Sequence, residues 1–230
     1  MSTHDLHRNP LSPTPRTTLT RSKERGATDR AALDAVLDAG LVCHLGVLLG
    51  GSPVALPTIY GRVGDTLYLH GSTGAGNLRA AIDTDISLTV THVDGLVYAR
   101  SAMHFSMNYR SAVIRGRAVL VTDETERDNA LRVIVEHAAP GAWERVRPPN
   151  RKEMAATMVL ALDLTEASVK VRSGGPNDDE GDIVTGGVWA GVLPLRQVWG
   201  EPVPAGNLEP GIEVPADVIA RVTPIAVPVR

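Results

Sequence analysis

Leu67-Tyr68-Leu69-His70-Gly71-Ser72-Thr73-Gly74-Ala75-Gly76-Asn77-Leu78-Arg79 begins as a strand, breaks into a glycine-rich loop and resumes as a helix. A helix N-terminus offers backbone amides with no intrahelical acceptor and a partial positive charge, a combination that binds phosphate. Gly71, Gly74 and Gly76 let a backbone approach phosphate oxygens closely, Ser72 and Thr73 add hydroxyl donors, and Arg79 adds a charge. The segment is not a P-loop, because the Lys-Ser/Thr ending is missing. Taken alone, it is also the sequence of an ordinary turn.

The flanking segments set this loop in a β meander rather than a βαβ unit. Leu41 to Leu49 is an apolar run closed by Gly50-Gly51-Ser52-Pro53, a hairpin signal, and Val54 to Tyr60 is the next strand. Gly61 to Asp65 turns the chain into the short strand Thr66 to His70. Pro57 cannot donate to a ladder and marks an edge, a bulge or a place where a ligand meets the backbone. Strands are expected over 86–93, 96–105, 109–121, 157–164 and 168–172, with Asp94-Gly95 as a turn. Helices are expected near 29–39, where Leu33, Val36 and Leu37 share a face, and over 123–138, where Ala130, Leu131, Ile134, Val135 and Ala138 do. Short strands joined by turns predict a mainly β fold, a six- to eight-stranded antiparallel barrel with a few flanking helices, over residues 27–200. Residues 1–26 read as a flexible, proline-rich arm and 201–230 as an extended proline-rich tail. Residues 173–187 read as a mobile loop whose acidic run, Asp178-Asp179-Glu180, faces water.

Composition narrows the function. A net charge of −3 with no basic block gives no footprint for nucleic acid. No apolar run approaches the length of a membrane span, and Met1 to Pro15 lacks the apolar stretch of a signal peptide. Cys43 is the only cysteine, so no intrachain disulfide forms and a cytoplasmic location is expected. Aromatic residues are 3% of the chain, which leaves the core to Val, Leu, Ile and Ala. His44, His92 and His104 are scattered among strands without metal-ligand spacing, so no metal site is expected. No Gly-x-Ser-x-Gly elbow points to covalent catalysis.

The order of these segments resembles the pyridoxamine 5′-phosphate oxidase-like, FMN-binding split-barrel family, in particular its nitroimidazole-resistance group. The markers are the helix ending before Gly40, Ala55-Leu56-Pro57-Thr58-Ile59-Tyr60, the segment Leu67 to Ala80, Asn108-Tyr109-Arg110-Ser111-Ala112-Val113 with Gly116-Arg117-Ala118, and Trp189-Ala190-Gly191-Val192-Leu193-Pro194-Leu195. The resemblance implies a split barrel and a homodimer with FMN at the interface. Pro57, Thr58, Ile59 and Tyr60 would run along the flavin ring, and His70, Gly71 and Ser72 beside the ribityl chain and phosphate. Gly76, Asn77 and Leu78 would open the phosphate helix, Arg110 and Ser111 would approach from the neighbouring strand, and Trp189 would close the site, from the same subunit or the other. Relatives often carry Lys or Arg where this chain has Asn77. A neutral amide there favours weaker FMN binding or another flavin, such as a deazaflavin, unless Arg79 or Arg110 compensates.

His70 is either a cofactor contact and proton donor or a strand-end histidine bonded to its own loop. Trp189 either stacks on the flavin or anchors the C-terminal segment. The function expected is an FMN-dependent oxidoreductase acting on a small organic molecule. The alternatives are a deazaflavin-dependent reductase and a flavin-binding sensor or carrier without turnover.

Overall fold

Alternation of apolar and polar residues favours strands, and the strands join into one antiparallel sheet that curls into a split barrel. A computed structural model of the chain describes residue 11 and residues 14–222. The strands are β1 (Gly26–Ala27), β2 (Val42–Leu49), β3 (Ser52–Val63), β4 (Thr66–Ser72), β5 (Asp85–Tyr98), β6 (Ser106–Arg117), β7 (Val119–Leu120), β8 (Thr157–Asp163), β9 (Ala167–Arg172) and β10 (Gly191–Pro194). Their order across the sheet is β1-β9-β6-β5-β2-β3-β4-β8-β7, with β10 added to β5. Three of the ten are only two to four residues long. The longer strands number seven, within the expected range.

The barrel interior is aliphatic. Leu45, Leu88 and Ile114 meet Leu67, Leu69, Leu160 and Leu162 there, all of them fully buried. Helix α1 (Arg30–Ala39) adds Leu33, Val36 and Leu37 to this core, and its N-terminus is capped by Asp29, which accepts from the Ala31 amide. The Tyr60 hydroxyl reaches from β3 to donate to the Leu37 carbonyl at 2.5 Å. Helix α2 (Gly76–Ala81) follows β4, and helix α3 (Glu124–Ala138) lies outside the barrel across β3 and β4. Beneath α3 a second apolar cluster joins Tyr68, Val121, Ala130, Leu131, Ile134 and Val159. Gly61 makes this approach possible. A Cβ there would stand 2.7 Å from the backbone N and Cα of Ile134.

Several expectations change. Asp94-Gly95 is not a hairpin turn. β5 runs through it with a bulge between Val93 and Gly95, and β10 packs so closely that a Cβ on Gly95 would meet the Leu193 carbonyl at 2.8 Å. The acidic stretch 178–180 is not wholly solvated. The Asp178 side chain is 1% exposed and accepts from the Arg100 amide and guanidinium, at 2.8 and 2.6 Å, and α5 (Glu180–Thr185) follows it. Residues 14–26 of the arm are docked rather than loose. Thr14 and Arg16 both bond Glu166, whose carboxyl is held down to about 2 by Arg16 first and Thr14 second. The proline-rich tail gives way to helix α6 (Ala216–Arg221), tied to α3 by a bond from Arg221 to the Ala138 carbonyl at 2.7 Å. Residues 1–10, 12, 13 and 223–230, which belong to the expected arm and tail, lie outside the described residues. No helix among the described residues is long and apolar enough to cross a membrane.

Candidate functional site

The glycine-rich loop satisfies part of its own backbone. Gly71 and Ser72 lie in the β4–β8 ladder, opposite Met158 and Thr157. The Thr73 amide donates to Ala156 O at 2.9 Å, Gly74 to Ser72 Oγ at 3.1 Å and Ala75 to Ser72 O at 2.8 Å. The first helical bond of α2 runs from Arg79 N to Ala75 O, and the cap residue Ala75 has no side-chain bond to offer. The open donors are therefore Gly76, Asn77 and Leu78, whose amides have no partner among the described residues. Gly71 has a packing reason of its own, since a Cβ there would meet the buried Leu78 side chain at 2.6 Å. Arg79 folds back, its Nε donating to Thr73 O at 2.6 Å.

The other expected contacts divide between two faces of the sheet. By strand alternation Pro57 and Ile59 point outward with Val42 and His44 of β2, and the ladder puts Thr91 and Ser111 in the same outer layer. Ile59 is 41% and Val42 45% exposed, an open apolar strip. Pro57 pairs with His44, and on its other side β3 meets β4 only from Tyr60 onward, so the missing amide breaks no ladder. Thr58 and Tyr60 face the opposite way. Tyr60 is fully buried, and burial raises its hydroxyl pKa, so only its backbone is available to a ligand. Arg110 also points away from Ser111 and is held by Asp94 through two bonds, at 2.9 and 2.8 Å. It is not a free cation for a phosphate.

Trp189 is 66% exposed and lies edge-on to Tyr98 at 5.5 Å, and Tyr98 touches Phe105 at the same separation. This cluster is at the last residue of β5, whereas α2 leads into its first, Asp85. At ~3.3 Å per residue, the path along β5 between them is about 40 Å.

His70 lies elsewhere than expected of a loop anchor. Its ring lines a cavity of about 600 Å³ between β3, β4 and α3, within the size range of cofactor pockets. Leu131, Ile134, Val135 and Ala138 of α3 form one wall, Ile59 another, and Trp143, Val146 and Pro149 a third. The rim carries Arg147, Glu153 of helix α4 (Arg151–Ala156) and Thr157. His70 Nδ1 is buried and has no hydrogen-bond partner among the described residues. An unpaired buried polar atom costs on the order of 1–3 kcal/mol, so it calls for an explanation. Burial alone lowers the His70 pKa below 6.5, which keeps the ring neutral near pH 7. Two other described histidines are committed: His92 Nε2 pairs with Val36 O at 2.9 Å and His137 Nε2 with Gly40 O at 2.6 Å. The α3 wall, Trp143, Arg147 and Glu153 were not among the expected site residues. The one signal for them was the α3 stripe, whose Val135 and Ala138 extend past the fully buried Ala130 and Ile134.

A family model described as pyridoxamine 5′-phosphate oxidase matches residues 29–171. The chain belongs to this family. It is similar to the flavocytochrome Anf3 from Azotobacter vinelandii, with 40% identity over 92% of this chain and 99% of that one, at a TM-score of 0.87. It is also similar to the FAD and heme binding protein from Mycobacterium smegmatis, with 37% identity over 86% and 97% of the two chains and a TM-score of 0.82. A Bacteroides thetaiotaomicron protein assigned to 5-nitroimidazole antibiotic resistance is 22% identical over 64% of this chain and 86% of that one, at a TM-score of 0.55, and shares the fold. No curated protein matches.

Proposed function

We propose that this split-barrel protein binds both a flavin and a haem and works as a redox protein, with His70 the residue that would hold the haem iron. The observation that carries the reading is the half-buried His70 imidazole, neutral near pH 7, which lines a mostly apolar cavity and whose buried Nδ1 has no partner among the described residues. Neutral imidazole is a suitable iron ligand, and the apolar walls of the cavity fit the faces of a tetrapyrrole. The two relatives above 35% identity, a flavocytochrome and an FAD and heme binding protein, support the same pairing.

FAD fits the loop better than FMN. The terminal phosphate of FMN is a dianion, whereas the pyrophosphate of FAD spreads its charge over two diester groups. Three backbone amides and the neutral Asn77, with Arg79 turned onto Thr73 and Arg110 onto Asp94, suit the less concentrated charge. The flavin ring would rest on the outward strip of Pro57, Ile59 and Ser111. Ile59 belongs to that strip and to the His70 cavity, so the two cofactors would adjoin. The separation of Trp189 from the loop favours a homodimer. A cytoplasmic, reducing setting suits Cys43, whose buried thiol is pushed up to about 12. The flavin supplies two-electron chemistry and the haem one-electron chemistry, while the protein sets their position and exposure.

The test is the visible spectrum of the purified protein, with mass identification of what it releases. Flavin bands together with a Soret band, and release of FAD, are expected. His70→Ala should lose the Soret band and keep the flavin. A protein that takes up neither added flavin nor haemin overturns the reading.

A further inference from the structure

We infer that Arg147 is a binding residue for a carboxylate of the haem, and that Glu153 holds its guanidinium ready at the cavity rim until the haem arrives. The inference rests on the haem reading above. Haem is a flat apolar macrocycle with two carboxylates along one edge, so it enters an apolar slot ring first and leaves its acids at the opening. The slot here has that polarity. Leu131, Ile134 and Ala138 line it, and Arg147, its one cationic side chain among the described residues, stands with Glu153 where both are exposed to solvent. The Glu153 carboxylate already occupies the guanidinium fork, with Nη1–Oε2 at 2.8 Å and Nη2–Oε1 at 2.6 Å, and so displays the geometry in which Arg147 takes a planar acid. The fork is also steadied by a bond from Nη1 to Pro148 O at 3.1 Å. Glu153 is itself fixed at the start of α4, where it closes a capping box with Asn150. Two nearby cations are engaged elsewhere, Arg127 with the Met154 and Thr157 carbonyls and Arg145 with Asp217.

The pair therefore acts as a placeholder. An incoming carboxylate either displaces Glu153 from the fork or shares it. Removing the charge of Glu153 should favour the ligand, and removing Arg147 should oppose it. Glu153→Gln suits the purpose because glutamine also serves in a capping box, so α4 keeps its start.

The experiment is titration of haem-free protein with haemin and, separately, with haemin dimethyl ester, which lacks the free acids. Wild type, Arg147→Gln, Arg147→Lys and Glu153→Gln are compared by Soret absorbance, and urea midpoints check folding. Arg147→Gln should weaken haemin binding roughly ten- to a hundredfold, the effect of one lost charge-assisted contact, and leave the ester unchanged. Arg147→Lys should recover part of the loss. Glu153→Gln should bind haemin several-fold more tightly than wild type and the ester equally. Equal haemin affinity in wild type and Arg147→Gln overturns the inference, and so does an equal loss of haemin and ester, which would make Arg147 a support of the rim only. If wild type takes up neither compound, the haem reading itself falls and this inference with it.

Discussion

Asp94 and Arg110 face each other across the β5–β6 ladder in a two-pronged ion pair, with Nε–Oδ2 at 2.9 Å and Nη2–Oδ1 at 2.8 Å. The Arg110 hydrogen bond is the largest cause of the lowered Asp94 pKa. The pair stands beside the bulge at Gly95 and keeps the guanidinium from any ligand on the outer face. Asp94→Asn should cost at most about 1 kcal/mol, because both side chains are about one-third exposed. A depressed carboxylate pKa gives stability that is present above the unfolded pKa and lost as pH falls through the folded value. The difference in urea midpoint between wild type and Asp94→Asn should therefore be present at pH 7 and shrink below pH 3.8.

Tyr60→Phe should destabilise the protein by about 1 kcal/mol through loss of one buried hydrogen bond. The Leu37 carbonyl keeps the Gly40 amide as a partner, which limits the cost. Because the ring lies in the barrel core and not on the outer strip, flavin affinity should be unchanged. Denaturant unfolding and a flavin titration on the same variant check the two halves of this expectation.

Gly61→Ala should cost on the order of 1–3 kcal/mol, the usual penalty for overpacking. The new Cβ would be set against helix backbone, which cannot rotate away as a flexible side chain can. Displacement of α3 also moves the Leu131–Ala138 wall of the cavity. The variant should show both a lower urea midpoint and an altered Soret maximum or weaker haemin uptake.

His70 gives a pH dependence of opposite origin to that of Asp94. Its pKa is lowered from 6.5 by burial, so the native protein resists a proton that the unfolded chain accepts. Between the two pKa values the unfolded state binds more protons, and stability rises with pH. As pH falls from 6.5 through the lowered value, stability of the haem-free protein should drop, and a His70→Leu variant should lack that part of the drop. Haemin affinity should fall over the same range because the proton competes for the ligating nitrogen. Urea midpoints and Soret titrations at pH 5 and pH 7.5 read the two effects.

The barrel was legible because its signals are local. The apolar run Leu41 to Leu49, the punctuation at Gly50-Gly51, and the shared face of Leu33, Val36 and Leu37 each act within a few residues. Asp94-Gly95 misled because the same dipeptide serves a hairpin and a bulge, and β10, almost a hundred residues later in the chain, decides between them. The sequence points to open amides over the whole loop, whereas the self-bonding at Thr73 to Ala75, which leaves Gly76 to Leu78 open, depends on Ala156 and on the shape of the turn. The His70 cavity was out of reach for a different reason. A metal held by protein side chains alone leaves several ligands at characteristic spacings, whereas a tetrapyrrole brings four of its own donors, so a single histidine carries no pattern. Its walls come from β3, α3 and residues 143–157, which only the fold brings together.

The short strand β1 pairs with β9, the last strand of the main sheet on that side, and Thr14 and Arg16 fasten the preceding segment to Glu166. The N-terminal arm is thus a cover for a row of backbone donors and acceptors that another chain could otherwise extend. A truncation beginning after Ala27 would take Leu11 and Ala27 from the core and expose that row, leaving a template for edge-to-edge growth and aggregation.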